Sequence, residues 1–541
     1  MNRSGLANPE GMQTAPAVHD EAGGVEPRAT RGFWLALVVS LLSFGAFYSF
    51  EAPTGQWRNQ VFGTDLWFEN DPGGSYVASA HELFLSDQGP LYPGHPGTTL
   101  QLLLCAVQHA YFWIAGDDRY SFTSFTARHI HRVFFFSKML VAALHALGVY
   151  AVYRLAKALH QREGAAVAAA LGYATCLPFL YYLSRISVEP LLVLFFVTTF
   201  LSLAACHRRL EDGDSTGALV SGGMAGALAV SGSFSKLNLL GPLPFFGLAY
   251  LLARGGFGSA ARVPISRRLP SCLGFALTAL VAGLLYSRLV DWGDFQSYWR
   301  DNSGLKRLFQ DWSFAALLPA ATANGFFLLS ELVFLSLGAA GWVVLLRRPS
   351  PVRPDFAWLS LYSCWFLVLW SYRVATLGNL RPFHYLLPVM VLSAVAFGFV
   401  THGMLARSRW SLRSQWLALV AWAGLVHLAA IWSVMDSRSR DAAQYRPLQE
   451  VHEVLGDLEP GQRIGLLDQR GPALGRRLKH VHGLNTTHAK GKRESLLEAE
   501  FLEIFAYAPP SAVDEGTPIH RSSLLGSFAV VNRNAPRASR Q

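Results

Sequence analysis

The chain has 541 residues, of which 51% are hydrophobic and only 15% are charged, whereas soluble proteins carry roughly 25% charged residues. The apolar residues fall into blocks of about 20, long enough to cross roughly 30 Å of hydrocarbon, which excludes the fibrous, disordered and disulfide-scaffold classes. The net charge of +10 could indicate nucleic-acid binding or a signal for membrane topology. The positions of the basic residues along the chain distinguish the two.

The first 32 residues are polar and are predicted to form a disordered cytoplasmic N-terminus. The apolar block that follows has no small-residue cleavage site after it, so we interpret it as a retained membrane helix. About eleven spans are predicted along the chain. They cover roughly residues 33–50, 133–156, 164–183, 188–206, 216–235, 238–253, 271–289, 324–346, 356–372, 384–404 and 414–435.

The apolar segment 98–116 decides the orientation of every later span, because its Gln101, Gln108 and His109 allow either a span or a surface helix. If the N-terminus is cytoplasmic and this segment lies along the outer surface, five basic loops face the cytoplasm, as the positive-inside rule requires. If the segment crosses, all five loops move outside. We therefore predict an amphipathic surface helix here, and most of the basic excess is a topology signal.

Two regions outside the spans are predicted to fold on the outer side of the membrane. Residues 51–132 form one long extracytoplasmic loop, in which Pro/Gly-rich turns alternate with amphipathic segments. The polar tail, 437–541, contains strand-like runs that indicate a small α/β module. Residues 33–436 are then the transmembrane domain of an all-α polytopic protein, whose predicted location is a bacterial inner or plasma membrane.

Ionisable side chains at the outer ends of the spans are the candidate site residues, because charges are costly near hydrocarbon and mark functional sites there. Each also has an ordinary explanation. A lysine or arginine can extend to the headgroups, Glu189 can form a structural ion pair with Arg185, and Asp71 or His95 can stabilise a turn. Their convergence on one side predicts a pocket for an anionic, lipid-linked group. The set is Asp71, Arg185, Glu189, Lys236, Arg373, Arg381 and His384.

The residue types in this set suggest a transfer reaction. Arginine and lysine bind and stabilise phosphate oxygens, and a carboxylate held near them can accept a proton from an acceptor hydroxyl. The chain has no GxxxxGK[ST] loop, and nucleotide sugars are not found outside the cytoplasm. An activated sugar at this position would therefore arrive on a polyprenyl phosphate.

Several motifs in a fixed order carry a resemblance to a known family. Asp71 precedes Tyr76-Val-Ala, a YPGHPG segment follows at 92–97, and SRISVEPLLVLFF and GALAVSGSFSK end at residues 196 and 236. HYLLPVMVLSAVAFG begins at residue 384. Over roughly residues 33–400 the chain resembles the integral-membrane glycosyltransferases of the GT-C superfamily. The most similar branch is the bacterial one with the protein O-mannosyltransferase-like enzymes and the lipid A aminoarabinose transferase.

The resemblance implies roles for individual residues. Asp71 would be the catalytic base, with Glu69 as the alternative, and Glu189 would line the site near the transferred sugar. Lys236 and Arg381 would contact the donor phosphate. Some relatives bind a divalent metal ion, but the sequence shows no convincing set of ligands. The remaining predicted substrate-binding residues are His384, Arg185, His95 and Tyr76.

The resemblance therefore predicts an inverting glycosyltransferase with a polyprenyl-phosphate sugar donor and a glycan, lipid or protein acceptor on the extracytoplasmic face. Two other classes remain open at this point. A lipid or polysaccharide flippase also has many spans and intramembrane charges, although it commonly shows paired halves. A non-catalytic membrane scaffold would act through its tail. The donor sugar and the acceptor are not determined by the sequence.

Overall fold

The computed structural model describes most of the chain between residues 73 and 407, together with five strands beyond it. The described residues are 34, 38, 41–42, 73–83, 97–116, 122, 125–126, 130–160, 162–176, 179, 182–183, 186–253, 263–290, 292–293, 296, 336, 338–344, 347, 353–377, 386–407, 414, 421, 425, 463–466, 485–488, 503–506, 519–522 and 526–532.

The helices are numbered here in chain order. They are α1 (Gly73–Glu82), α2 (Thr98–Ala115), α3 (Ile130–His160), α4 (Glu163–Ala174), α5 (Glu189–Glu211), α6 (Ser215–Ser235), α7 (Leu237–Leu240), α8 (Leu243–Ala253), α9 (Ile265–Ser287), α10 (Arg353–Leu377) and α11 (Leu387–Arg407).

Five of the described helices are long and apolar enough to cross a membrane. They are α3 from Phe135 onward, α5, α6, α9, and α11 as far as Met404. These helices support the predicted polytopic membrane protein, but they do not establish the count of eleven spans. The spans predicted over 33–50, 324–346 and 414–435 lie largely outside the described residues.

Two predicted spans differ in the structure from a single continuous helix. The span predicted over 164–183 begins as α4 but its helix stops at Ala174. The reason is visible in the sequence, because Pro178 follows and the residue before a proline avoids the helical conformation. The span predicted over 238–253 is divided into the single turn α7 and the 11-residue α8.

α5 and α6 form an antiparallel hairpin that positions the candidate site. α5 begins at Glu189 and ends after two arginines, so its terminal charges suit the helix dipole. Gly213 adopts a φ of 79° in the connecting turn, and Asp214 caps α6 by accepting a hydrogen bond from Gly217 N at 2.8 Å. We call the end where α5 begins and α6 stops the site end, and the end with this turn the far end.

α6 packs closely on α9 because it presents glycines at the contact. A Cβ atom added at Gly226 would lie 2.2 Å from the carbonyl oxygen of Phe275, so only glycine permits this approach. Thr278 of α9 donates a hydrogen bond from Oγ1 to the carbonyl oxygen of Gly223 at 2.6 Å. Small residues and cross-helix hydroxyl groups are common means of helix association in lipid. The opposite face of α9 is apolar and exposed, as a lipid-facing surface would be.

α1 and α2 pack on the site end of the bundle. Gln108 of α2 donates a hydrogen bond to the carbonyl oxygen of Val77 in α1 at 3.0 Å. Thr99 of α2 donates to the carbonyl oxygen of Ser231, near the end of α6, at 2.9 Å. The ring of Tyr111 contacts an aromatic side chain near the beginning of α3. The predicted amphipathic helix over 98–116 is therefore a helix joined to the bundle, and its depth in the membrane stays a prediction.

The five strands of the tail form one mixed sheet in the order β2-β1-β3-β5-β4. The strands are β1 (Arg463–Leu466), β2 (Asn485–His488), β3 (Glu503–Ala506), β4 (Ile519–Ser522) and β5 (Gly526–Asn532). β1 pairs in parallel with β2 and β3, and β5 is antiparallel to β3 and β4. The strand-like runs expected at 463–468 and 528–532 coincide with β1 and β5. The helical part of the predicted α/β module lies outside the described residues.

Candidate functional site

A buried ion pair lies at the site end, between two residues that the sequence proposed as site residues. Lys236 Nζ donates to Glu189 Oε1 at 2.9 Å, although the two residues are 47 positions apart. The side chains are only 9% and 5% exposed for Lys236 and Glu189 respectively. Glu189 is therefore held by Lys236, and Arg185, the structural partner that the sequence suggested, lies outside the described residues.

The helix ends explain why both charges sit there. Glu189 is in the first turn of α5, where exposed N–H groups favour a negative charge, and Lys236 follows the last turn of α6, where carbonyl groups favour a positive charge. Lys236 has an extended backbone, with φ −157° and ψ 95°, and separates α6 from the single turn of α7. Because α5 and α6 are antiparallel, these two ends meet.

His145 is a buried residue at this site that the sequence analysis did not propose. It lies in the middle of α3, is 1% exposed, and its Nε2 is 3.2 Å from the carbonyl oxygen of Tyr182. Because a carbonyl oxygen only accepts, Nε2 carries the hydrogen and Nδ1 is left as an acceptor. Nδ1 is buried without a hydrogen-bond partner among the described residues. The ring is also close enough to Glu189 for an electrostatic interaction.

Lys138 is a second buried ionisable residue that was missed. It is 2% exposed and precedes His145 by two turns of α3, so the two side chains share one face of the helix. The signal was present in the sequence, since FFFSKML places a lysine inside an apolar block. An ionisable residue within a span is a site candidate by default, whereas the predicted site residues all lie at span ends or in loops.

Tyr76 lies in the apolar contact between α1 and α2. Its side chain is 1% exposed and belongs to a buried cluster with Val77, Leu100 and Leu104. A Cβ atom added at Gly97 would lie 2.1 Å from Tyr76 Cε1, so this ring rests directly on the backbone that begins α2. The predicted role of Tyr76 in substrate binding stays a prediction.

Two histidine rings stack on Phe122 at the outside of the same contact. The ring centroids of His81 and Phe122 are 4.8 Å apart, and those of His109 and Phe122 are 4.2 Å apart. Burial lowers the pKa of His81 from 6.5 to about 4, and nearby His109 adds to this shift. His81 is therefore neutral at physiological pH.

Six of the predicted site residues lie outside the described residues, so their positions and roles stay predictions. They are Glu69, Asp71, His95, Arg185, Arg381 and His384. Within the part of the chain that the structure describes, no three His, Cys, Asp or Glu side chains are grouped as a metal site would require. The possible divalent metal ion is thus left as an implication of the resemblance.

The described residues of the site combine charge with burial. A carboxylate and a lysine ammonium form an ion pair at the end of an apolar bundle, and α3 contributes a buried histidine and a buried lysine. In such low-dielectric surroundings, interactions between charges are much stronger than in water. The arrangement can bind an anionic group through Lys236, provided that the group competes with Glu189 for the ammonium.

The fold is similar to solved structures at low sequence identity. ArnT from Cupriavidus metallidurans, crystallised in the apo state, has a TM-score of 0.56 at 12% identity, and the similarity covers 87% of this chain and 95% of that chain. The oligosaccharyltransferase AglB from Archaeoglobus fulgidus, in complex with an inhibitory peptide and a dolichol-phosphate, has a TM-score of 0.48 at 15% identity. In that case 94% of this chain and 75% of that chain are covered. No protein-family model and no curated protein matches the sequence.

The similarity to ArnT confirms one expectation from the sequence. The predicted resemblance is confirmed at the level of the fold, which this chain shares with ArnT. The chain is a mostly helical, polytopic membrane protein of this architecture.

Proposed function

We propose that the chain is an inverting glycosyltransferase that moves a sugar from a polyprenyl-phosphate donor to a glycan, lipid or protein acceptor. The observation that carries the proposal is the buried Glu189–Lys236 pair, with its N···O distance of 2.9 Å, at one end of the apolar bundle. The fold shared with ArnT, an aminoarabinose transferase with a lipid-linked donor, supports the same kind of reaction. The active site is proposed to face the extracytoplasmic side of a bacterial inner membrane.

In the proposed reaction, an acceptor oxygen attacks the anomeric carbon of the sugar from the face opposite the lipid phosphate. The carboxylate of Asp71, or alternatively Glu69, takes the proton from that oxygen. The bond between the anomeric carbon and the phosphate oxygen breaks, and polyprenyl phosphate leaves with the electron pair. Inversion follows because a single displacement occurs at the anomeric carbon.

Lys236 is proposed to stabilise the negative charge that develops on the leaving phosphate, together with Arg381. Its ion pair keeps the ammonium buried and oriented before the donor arrives. Glu189 then becomes available to the sugar when Lys236 turns to the phosphate. The other proposed substrate contacts are His384, Arg185, His95 and Tyr76.

The decisive experiment measures sugar transfer by the purified full chain in proteoliposomes that contain undecaprenyl-phosphate-linked hexoses or pentoses. Lys236→Met is expected to lower turnover about 100-fold or more, the usual loss of one electrostatic stabiliser. Lys157→Met is the matched control, since it removes a lysine from a half-exposed ion pair at the far end. Asp71→Asn and Glu69→Gln then identify the base, because only the substitution that removes the base should abolish sugar transfer.

Loss of folding is separated from loss of chemistry by a double variant. Glu189→Leu combined with Lys236→Met removes both buried charges, so it should fold better than either single variant, yet it should remain inactive. Full activity of the folded double variant would refute the role of the pair. Movement of intact donor across the bilayer without bond cleavage would indicate a flippase.

A further inference from the structure

Four buried side-chain atoms on α1 and α2 have no hydrogen-bond partner in the part of the chain that the structure describes. They are Ser79 Oγ, the amide nitrogen and oxygen of Gln101, and Gln108 Oε1. All three residues are at most 1% exposed. Nearly all buried polar groups in folded proteins are paired, because an unpaired group has lost its hydrogen bonds to water and gained none. These atoms therefore mark a candidate site for a ligand with polar groups of its own.

The unpaired atoms lie on the faces that α1 and α2 turn toward each other. Gln108 donates from Nε2 to a backbone carbonyl oxygen of α1 at 3.0 Å, and the ring of Tyr76 rests on Gly97. Gln101 is four residues after Gly97 and seven before Gln108, so it shares their face of α2. Ser79 is three residues after Tyr76 and shares its face of α1. We call this contact the α1–α2 seam.

The α1–α2 seam adjoins the site end of the bundle. Val188 and Leu191 lie on either side of Glu189 at the beginning of α5. Both belong to one buried cluster with Tyr76 of α1 and Leu100 of α2. The seam is thus packed against the segment that carries the carboxylate of the buried ion pair.

The chemistry of the seam fits a neutral ligand that is rich in hydroxyl groups. A carboxamide both donates and accepts hydrogen bonds, as a serine hydroxyl does, and each hydroxyl group of a sugar can pair with either. None of the unpaired atoms carries a charge, whereas a buried phosphate needs an opposite charge beside it. Gln101 and Gln108 are two turns apart, roughly 10 Å along the helix axis. A ligand that meets both therefore has several hydroxyl groups.

We propose that Ser79, Gln101 and Gln108 bind the hydroxyl groups of a neutral sugar unit, an inference that rests on the proposed glycosyltransferase function. The unit belongs to the lipid-linked donor or to an acceptor glycan, since both present the same hydroxyl chemistry. The unpaired atoms are closed off from water in the structure, so α1 moves away from α2 to admit the sugar. Hydrogen bonds to the sugar then replace apolar contacts between the two helices.

The test measures binding of three kinds of probe to the full chain in nanodiscs by calorimetry. The probes are undecaprenyl-phosphate-linked hexoses and pentoses, undecaprenyl phosphate without a sugar, and soluble neutral trisaccharides of the same sugars. Gln101→Met keeps most of the volume and removes both hydrogen-bonding atoms. It should bind sugar-bearing probes about tenfold more weakly than the wild type, as expected for two lost hydrogen bonds. Its affinity for sugar-free undecaprenyl phosphate should be unchanged.

The two sources of the sugar are distinguished by the probe that is affected. Weaker binding of the lipid-linked sugars alone identifies the seam as a site for the transferred sugar. Weaker binding of the trisaccharides identifies it as a site for an acceptor glycan.

Thr199→Val is the matched control. Thr199 Oγ1 is also buried and unpaired among the described residues, but it lies about three turns into α5 from Glu189. This variant should bind every probe as the wild type does. Both variants should melt at or above the wild-type temperature, because each removes an unpaired buried polar group. A loss of affinity at such stability does not come from misfolding.

The remaining outcomes are also decisive. If Gln101→Met does not fold, Ser79→Ala removes a single hydroxyl group and should weaken sugar binding about threefold. Unchanged affinity for every sugar-bearing probe would overturn the inference and leave the proposed function standing, with water alone as the partner of these atoms. A wild type that binds no lipid-linked probe would contradict the proposed function, and the inference with it.

Discussion

Two lysine–glutamate pairs of almost equal length lie at opposite ends of the bundle. At the site end, Lys236 and Glu189 are 2.9 Å apart and their side chains are 9% and 5% exposed. At the far end, Lys157 and Glu163 are 2.8 Å apart and their side chains are 29% and 36% exposed. The distances would not distinguish a site from a surface contact. Burial distinguishes them, because a charge that is shielded from water is stabilised mainly by its partner.

The far-end pair has a local, structural explanation. Lys157 and Glu163 are six residues apart and join the end of α3 to the start of α4, and Tyr153 also donates to the same glutamate at 2.6 Å. The site-end pair joins helix ends that are 47 residues apart. Burying such a pair carries a large desolvation cost, and this cost is the reason why the site end is the candidate functional site.

The largest expected effect comes from breaking each pair. Lys236→Met alone should lower the free energy of unfolding by about 3–5 kcal/mol, because it leaves a buried carboxylate without its ammonium. Lys157→Met should cost about 1 kcal/mol or less. Chemical unfolding in detergent, with both double variants to complete the two cycles, measures the difference. Equal costs at the two ends would show that burial does not set the strength of the pair.

A smaller effect is expected from added volume at each end. Gly97→Ala at the site end would drive a methyl group into the ring of Tyr76, which should cost about 1–3 kcal/mol. Gly403→Ala at the far end meets no atom within 4 Å, so it should be neutral or stabilise the helix by up to about 1 kcal/mol. Melting temperatures of the two variants provide the comparison, and a tolerated Gly97→Ala would contradict the close packing of α1 on α2.

Acid should loosen the contact between α1 and α2. The pKa of His81 is lowered from 6.5 to about 4 in the folded protein, so the unfolded chain binds a proton first as the pH falls. Stability is complete above the unfolded value and is lost between these two values, by up to about 1.4 kcal/mol per pH unit. Hydrogen exchange, corrected for intrinsic rates, should show this loss in α1 and α2. His81→Phe should keep the stacking on Phe122 and abolish the pH dependence; its persistence would identify another group as the cause.

The smallest effect concerns the turn that closes the far end. Asp214 accepts a hydrogen bond from Gly217 N at 2.8 Å as the cap of α6, and Asp214→Ala should cost about 1 kcal/mol. Asp214→Asn should retain most of the cap. Transfer activity should be unchanged in both, because the far end is proposed to carry no chemistry. An activity loss at equal stability would show that the two ends are coupled.

Sequence patterns predicted much of the fold because each span is a local property. Apolar blocks predicted the helices that became α3, α5, α6, α9 and α11 within a few residues. The resemblance to the GT-C superfamily was confirmed at the level of the fold. Within the described residues, the helix of the span predicted over 164–183 ends at Ala174, four residues before Pro178, so hydropathy alone did not locate this helix end.

The candidate site was only partly predictable. Glu189 and Lys236 were identified as site residues from their places at span ends, but their contact was not foreseen, since pairing across 47 residues depends on how two helices pack. Lys138 and His145 were missed, although both interrupt apolar stretches in the sequence. Their relation to the site depends on which face of α3 turns toward α5.

Composition alone determined that half of this chain is hydrophobic, as in a membrane protein, and charge placement alone predicted that most of its basic excess is a topology signal. These are sums over local segments, and they do not depend on which helices touch. The tertiary structure alone decided that one acid and one lysine form a buried pair. Burial and electrostatic pairing depend on which residues are neighbours in space, and the packing of α3, α5 and α6 determines these neighbours.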